Sequence, residues 1–213
     1  MNVALDNDIL FKGAAYGLLD ELVSPVAASG SIGVLGAAPF VVSNKLERGL
    51  LKGNPQAAVN RLRTFLQKAE VLEPSEVEQT LAADFERAAQ RAGVNLDVGE
   101  SLLSSIVIIR HISWLVTGDK RAIRALDALL RQDIRVSVLC GRVRCLEQLV
   151  LELVIQGHGQ MLRVAICAEP DIDKALSICC SCASNEIDHH QFAEGLNSYI
   201  GALRAAAPQI LAT

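Results

Sequence analysis

Hydrophobic positions along the chain repeat with two periods, and their alternation predicts a sheet covered by helices. Short apolar runs at Val3–Leu5 and Trp114–Thr117 predict two buried strands. Between these runs, apolar residues at helical spacing predict helices over residues 8–23, 39–51, 55–69, 77–92 and 97–112, the first of them capped by Asp8.

The same pattern continues through the second half of the chain. A helix is predicted over residues 119–131, and the β-branched run Ile134–Leu139 predicts a third strand. From Arg142 onward the pattern is helical. This order indicates an α/β fold with a small parallel sheet flanked by helices, over residues 1–140. A helical C-terminal extension over residues 141–213 would pack on this domain or on a second subunit.

Composition and charge limit the classes of function. Hydrophobic residues make up 51% of the chain and aromatic residues only 4%, so the core must consist mainly of aliphatic side chains. A net charge of −4 provides no overall attraction for nucleic acid and excludes a histone-like coating role. Nucleic acid would have to bind through local basic patches, bridging metal ions or a basic partner.

The sequence also carries signals of cellular location. Asp6 and Asp8 lie where a secretory signal would be apolar, and uncharged stretches do not reach the length of a membrane span. We therefore expect a cytoplasmic protein with no membrane partner. All six cysteines lie in the last third of the chain, and we predict reduced thiols for them.

Four acidic residues provide the candidate chemistry. Asp6 and Asp119 follow the two predicted strands, and in open parallel sheets ligands bind beyond the carboxyl ends of the strands. Glu47 lies within a predicted helix and Glu100 near the start of another. Because carboxylates from distant segments can hold Mg²⁺ or Mn²⁺, the four acids predict a metal site, with Asp8 and Asp97 as reserve ligands.

A simpler interpretation is that these acids only cap helices. Asp8, Asp97 and Asp119 all lie at predicted helix starts, where a carboxylate is favoured regardless of function. For any single residue, capping is the better explanation. For the ordered set of four acids, a common site is the better explanation.

In order and local sequence the four acids resemble those of the PIN-domain family, metal-dependent ribonucleases that include many bacterial toxins. The most specific elements are Asp97-Val98-Gly99-Glu100 and Thr117-Gly118-Asp119-Lys120. The resemblance covers roughly residues 1–140; the chain departs from it by extra helices between Glu47 and Glu100 and by its tail. It implies a three-layer α/β/α fold and a toxin or defence-type nuclease that cleaves RNA with a metal-activated water.

The resemblance also implies roles for individual residues. Asp6, Glu100 and Asp119 would hold the principal metal, and Glu47 would orient a second ion or the attacking water. Thr117 would bond to a ligand carboxylate or to phosphate. We expect single-stranded RNA as the substrate, and a second copy of the chain or an inhibitor protein as a partner.

Basic residues near the four acids are predicted to rim a phosphate groove. Lys120, next to Asp119, is the strongest candidate for a phosphate contact. Lys45 and Arg121 belong to the same basic set.

Three other hypotheses remain. In a haloacid dehalogenase-like phosphatase Asp6 would be the nucleophile and Asp8 the general acid, but Ile123 stands where a further acid is expected. The chain can also be an inactive PIN-like interaction module with the tail as its partner surface. A zinc site at Cys179–Cys182 and the following histidines is disfavoured, because the spacing does not match zinc motifs.

Overall fold

Five short parallel strands form one sheet in the computed structural model, which describes residues 2–27, 30–49, 51–183 and 189–213. The strands are β1 (Val3–Leu5), β2 (Ile32–Leu35), β3 (Glu70–Leu72), β4 (Trp114–Thr117) and β5 (Val143–Cys145). Their spatial order is β3-β2-β1-β4-β5, with Leu5 of the central strand opposite Val34 and Val116.

Helices connect the strands and cover both faces of the sheet. They are α1 (Asn7–Tyr16), α2 (Leu19–Val23), α3 (Ala38–Arg48), α4 (Pro55–Leu66), α5 (Glu76–Ala92), α6 (Val98–Ile109), α7 (Lys120–Leu129), α8 (Leu146–Leu153), α9 (Gly159–Ala168), α10 (Lys174–Cys179) and α11 (His189–Ala206). A π-helical turn, Val154–His158, joins α8 to α9. The expected small parallel sheet flanked by helices in three α/β/α layers is confirmed.

Strand alternation explains the two hydrophobic cores. Val3 and Leu5 point into a core built with α1–α4 and α8–α10, whereas Ala4 points into a core built with α5–α7. Successive side chains of a strand face opposite sides of the sheet, so even a three-residue strand contributes to both layers. Helix α11 contributes Phe192 to the first core and Ile200 to the second.

Side-chain caps fix where several helices begin. Ser75 and Glu78 form a reciprocal capping box at the start of α5, as Asp97 and Glu100 do at the start of α6. The predicted first helix is two helices, because Gly17 ends α1 in the left-handed conformation at φ 71°. Asp8 was predicted to cap α1, but the residue that caps this helix is Asp6.

Two predictions about secondary structure need correction, and one further strand was not predicted. Ile134–Leu139 is a 3₁₀ helix capped by Asp133, since its buried residues Val136 and Leu139 are three positions apart and not two. The region predicted as helical from Arg142 onward begins with β5, a strand too short to give a periodic signal. Strand β3 was not predicted, because Val71 at its centre is exposed.

Residues beyond 140 are closely tied to this sheet. Strand β5 pairs with β4, and residues 209–212 bond to the strand's far side through a parallel bridge between Leu211 and Val143. The prediction of uniformly reduced cysteines is wrong for one pair, because Cys167 and Cys182 form a disulfide. Among the helices described, none is long and apolar enough to cross a membrane.

The connections create a crevice at the centre of the sheet. After β1 the chain turns to one face of the sheet to form α1, and after β4 it turns to the other face to form α7. Adjacent parallel strands whose connections leave in opposite directions open a space beyond their carboxyl ends. Asp6 and Asp119, which cap these two helices, lie at that space.

Candidate active site

The crevice is an open cleft of about 310 Å³ between the starts of α1, α6 and α7 and the side of α3. Five acidic side chains line it: Asp6, Asp8, Asp97, Glu100 and Asp119. Two basic residues, Lys45 and Arg121, complete its charged lining. Predicted ligands from three separate segments of the sequence therefore meet in one place.

Asp6 lies at the end of β1 and is held by three hydrogen bonds. Its backbone N–H donates to Val116 O at 3.0 Å, its Oδ1 accepts from Asn7 N at 2.7 Å, and its Oδ2 accepts from the Thr117 hydroxyl at 2.9 Å. Burial raises the pKa of Asp6 to about 6, and the negative charge of Asp8 adds to this, although the bond from Thr117 opposes it.

Thr117 connects the two strand ends. Its hydroxyl accepts from the Asp119 backbone N–H at 3.0 Å and donates to Asp6 at 2.9 Å. The side chain is 3% exposed, so it cannot turn toward solvent without losing both bonds. The bond from Thr117 fixes the orientation of the Asp6 carboxylate, and the predicted role of Asp6 as a metal ligand stays a prediction.

Glu100 enters the cleft from the first turn of α6. Its Oε2 accepts from Asp97 N at 2.9 Å, and its own N–H donates to Asp97 Oδ1 at 2.8 Å. Burial raises the pKa of Glu100 to about 7, helped by the negative charges of Asp97, Asp119 and Asp6. Glu100 and Asp6 also share the lining of a second, narrow cavity of about 10 Å³ behind the cleft.

Asp119 is held in a different way. Its Oδ1 accepts from Arg121 N at 2.7 Å, and its Oδ2 lies 2.5 Å from the Arg121 guanidinium. Partial burial favours the protonated form, but the bonds from Arg121 outweigh it and hold the pKa of Asp119 below its ordinary value. The predicted capping role of Asp119 is thus present together with its position in the cleft.

Asp8 is neutralised by two lysines. Its Oδ2 lies 2.7 Å from Lys12 Nζ, and its Oδ1 lies 3.4 Å from Lys45 Nζ. Lys12 also binds Asp173 at 2.7 Å, which connects the cleft to the cap of α10. Burial disfavours the charge on Lys12, yet Asp8 and Asp173 outweigh this and raise its pKa. A ligand role for Asp8 would require breaking this network.

Two predicted residues lie elsewhere. Glu47 is exposed on α3 and does not line the cleft. The burial of Val42 and Leu46 fixes the rotation of α3 about its axis. With this rotation Val41 and Lys45, which are one turn apart, lie at the cleft.

Lys120 is the second predicted site residue that lies outside the cleft. Its side chain points away from this space. Its Nζ lies 2.5 Å from Oε1 of the buried Glu147 and 5.3 Å from the centre of the Tyr199 ring. Lys120 is therefore occupied by the C-terminal region, and the basic groups at the cleft are Lys45 and Arg121.

The fit of a divalent ion depends on which carboxylates lack a cation. Asp8 and Asp119 have lysine or arginine partners, whereas Asp6 and Glu100 take part in no ion pair with a described residue. Carboxylate oxygens are the donors that Mg²⁺ and Mn²⁺ prefer, so the chemistry of the donor set suits these ions. Within the described residues, however, no group of three or more acids, histidines or cysteines is arranged to hold a metal. A third ligand would require Asp119 to leave Arg121, or a rotation of Asp97.

Comparisons with known proteins give limited results. No family model matches the sequence, and no curated protein matches it significantly. Among solved structures, the chain is similar to the crystal structure of VapBC2 from Rickettsia felis bound to a DNA fragment from their promoter. The identity is 14%, the TM-score is 0.46, and the similarity covers 56% of this chain and 88% of that chain.

Proposed function

We propose that this chain is a Mg²⁺- or Mn²⁺-dependent ribonuclease of PIN type that cleaves single-stranded RNA at the cleft beyond β1 and β4. One observation carries the proposal: Asp6 and Glu100 share this cleft, neither forms an ion pair with a described residue, and burial and like charges raise both of their pKa values. Carboxylates gathered in this way are stabilised by a divalent ion.

The residues present suggest a division of labour. Asp6 and Glu100 would hold the ion, and Asp119 or Asp97 would complete its protein ligands. A divalent ion in such a site lowers the pKa of a bound water and offsets the charge that develops on phosphate oxygens. Thr117 would keep the Asp6 carboxylate in place through the bond it already donates.

A second candidate is a PIN-like interaction module without catalysis. It is favoured by the observation that Asp97, Glu100 and Asp119 all bond to helix starts, which is sufficient reason for their presence. The phosphatase hypothesis has less support. Asp8, its general acid, is bound by two lysines, and Ile123 is fully buried in the core.

Metal binding separates the two candidates. Purified chain stripped with chelator would be titrated with Mn²⁺ and Mg²⁺, with the melting temperature and intrinsic fluorescence as readouts. The nuclease proposal expects saturable binding that raises the melting temperature, because an ion that binds only the folded state stabilises it. If neither ion binds at millimolar concentration, the nuclease proposal is wrong and the module is favoured.

Cleavage assays then test the site. A panel of single-stranded and duplex RNA and DNA would be incubated with Mn²⁺ or with chelator. We expect Asp6→Asn and Asp119→Asn to abolish metal-dependent cleavage of single-stranded RNA while the circular dichroism spectrum is unchanged, since asparagine also caps helices. Full activity in either variant would contradict the assignment of the site.

A further inference from the structure

The cleft of an enzyme that acts on RNA must admit a phosphate among five carboxylates. Asp6, Asp8, Asp97, Glu100 and Asp119 all line this space, so an entering polyanion is repelled unless cations lie beside it. A metal ion held by Asp6 and Glu100 would offset part of this charge. The chain's own cations must also contribute, and the structure distinguishes which of them can.

Most of the basic groups near the cleft are already occupied. Lys12 lies 2.7 Å from both Asp8 and Asp173 and is largely buried, and Lys120 is paired with Glu147. Arg121 is bound through its side chain to both oxygens of Asp119, at 2.5–3.2 Å. Each of these groups would give up a short bond in order to reach a phosphate.

Lys45 is different because its present contact is long and redundant. Its Nζ lies 3.4 Å from Asp8 Oδ1, while Lys12 already neutralises the other oxygen of the same carboxylate at 2.7 Å. The side chain is 51% exposed, and its ammonium lies 4.1 Å from the centre of the Phe11 ring. This ring partly desolvates the ammonium and attracts it electrostatically.

We propose that Lys45 binds a backbone phosphate of the single-stranded RNA, exchanging its contact with Asp8 for one with a phosphate oxygen. Loss of the Asp8 contact costs little, because Lys12 remains bound to that carboxylate and exposed ion pairs contribute little to stability. The inference rests on the proposed function only in assuming that an RNA phosphate enters the cleft. It assigns the contact to Lys45, on α3, and not to Lys120.

The test is RNA binding in the absence of metal, so that cleavage is not needed. A fluorescently labelled single-stranded RNA would be titrated with the full chain in chelator at several salt concentrations. The variants are Lys45→Gln, Lys45→Arg and the control Lys68→Gln. Lys68 is matched to Lys45 in being an exposed lysine paired to an aspartate, Asp20 at 3.0 Å, but it lies outside the cleft.

We expect Lys45→Gln to weaken binding roughly tenfold and to reduce the slope of log affinity against log salt by about 0.7, the value for one phosphate contact on a single strand. Lys45→Arg should bind within about threefold of the unmodified chain, because it keeps the charge. Lys68→Gln should leave both quantities unchanged.

Three results would overturn the inference: no binding by the unmodified chain, wild-type affinity in Lys45→Gln, or an equal loss in Lys68→Gln. The proposed function fails separately. A chain that binds RNA through Lys45 but cleaves nothing with Mn²⁺ would retain this inference and lose the nuclease assignment. A chain that cleaves RNA with Lys45→Gln at unchanged affinity would do the reverse.

Discussion

Two clusters of charged side chains lie close together beyond the sheet, and they differ in how the chain neutralises them. In the lysine network, defined as Lys12 with Asp8 and Asp173 and Lys120 with Glu147, every carboxylate has an ammonium partner within 2.7 Å. In the cleft, the partners of the Asp6 and Glu100 carboxylates among the described residues are uncharged hydrogen-bond donors. Lys12 and Asp8 form the border between the two.

This difference concerns how each cluster compensates the cost of burying its charges. Charge removed from water is costly unless it is paired, and the lysine network meets that requirement within the chain itself. The Asp6–Glu100 pair does not, and its carboxylates respond with raised pKa values. Acidic residues in one small region are therefore paired with lysines in one cluster, whereas Asp6 and Glu100 form no ion pair with a described residue in the other.

Breaking the lysine network should have the largest effect on stability. Lys12→Met leaves Asp173, whose side chain is 8% exposed, without its only ion-pair partner among the described residues. We expect a loss of about 3–5 kcal/mol in the free energy of unfolding, measured with urea, because an unpaired buried charge remains. Lys68→Met removes an exposed pair and should cost at most about 1 kcal/mol. Equal losses in the two variants would contradict the stabilising role assigned to the buried lysine network.

Neutralising one carboxylate of the Asp6–Glu100 pair should increase the free energy of unfolding. The pKa of Asp6 rises from 3.8 in the unfolded chain to about 6 in the folded one, so the folded state binds more protons between these values and loses stability as pH increases. Asp6→Asn removes this loss. In metal-free buffer we expect the variant to be about 2 kcal/mol more stable than the unmodified chain at pH 8.

The pH dependence is the control for this prediction. At pH 4 and below, Asp6 is protonated in the folded state, and the advantage of Asp6→Asn should disappear. Saturating Mn²⁺ at pH 8 should also remove it, because an ion would stabilise the unmodified chain alone. A constant difference between the two proteins at all pH values would mean that repulsion in the cleft is not its cause.

Releasing Asp119 from Arg121 should have a smaller effect than the two preceding changes. The quantity that it should change is the affinity for metal. Arg121 is 75% exposed, and its guanidinium is bound to the Asp119 carboxylate, which we propose as a third metal ligand. We expect Arg121→Ala to increase Mn²⁺ affinity roughly threefold, by removing one nearby positive charge from an exposed site. The melting temperature without metal should stay the same, because Asp119 still caps α7 through backbone bonds.

Glu47 provides the smallest expected effect. It is exposed on α3 outside the cleft, so Glu47→Gln should change cleavage by less than about twofold, whereas Glu100→Gln should reduce it by about 100-fold or more. Initial rates with Mn²⁺ measure both. A large loss in Glu47→Gln would mean that α3 moves when RNA binds.

Much of this arrangement could be predicted from the sequence, where the signal is local. Asp6 and Asp119 follow short apolar strands, and the capping box of Asp97 and Glu100 is a pattern of four residues. Such features depend on neighbouring residues alone. The same residue types also occur at helix starts, so the sequence could not separate capping from ligand binding. In the structure these acids cap helices and also meet in one cleft.

Other parts depend on contacts between distant segments. The choice of Lys45 over Glu47 follows from the rotation of α3, which only the burial of Val42 and Leu46 fixes. Lys120 is adjacent to a predicted ligand, yet Glu147, 27 positions later, draws it to the other side. Strand β5 is three residues long and has no periodic signal of its own.

The bonds that residues 209–212 make with β5 have a consequence for association with other proteins. A sheet edge offers unpaired N–H and C=O groups to any extended chain, and here one of the two edges is already filled: Val143 donates to Ile210 O and accepts from Ala212 N. A partner that docks by adding a strand is thereby directed to β3, at the opposite border, where Glu70 and Val71 face solvent. Residues 209–212 thus occupy the β5 edge, and within the described residues β3 is the edge strand at which strand addition would take place.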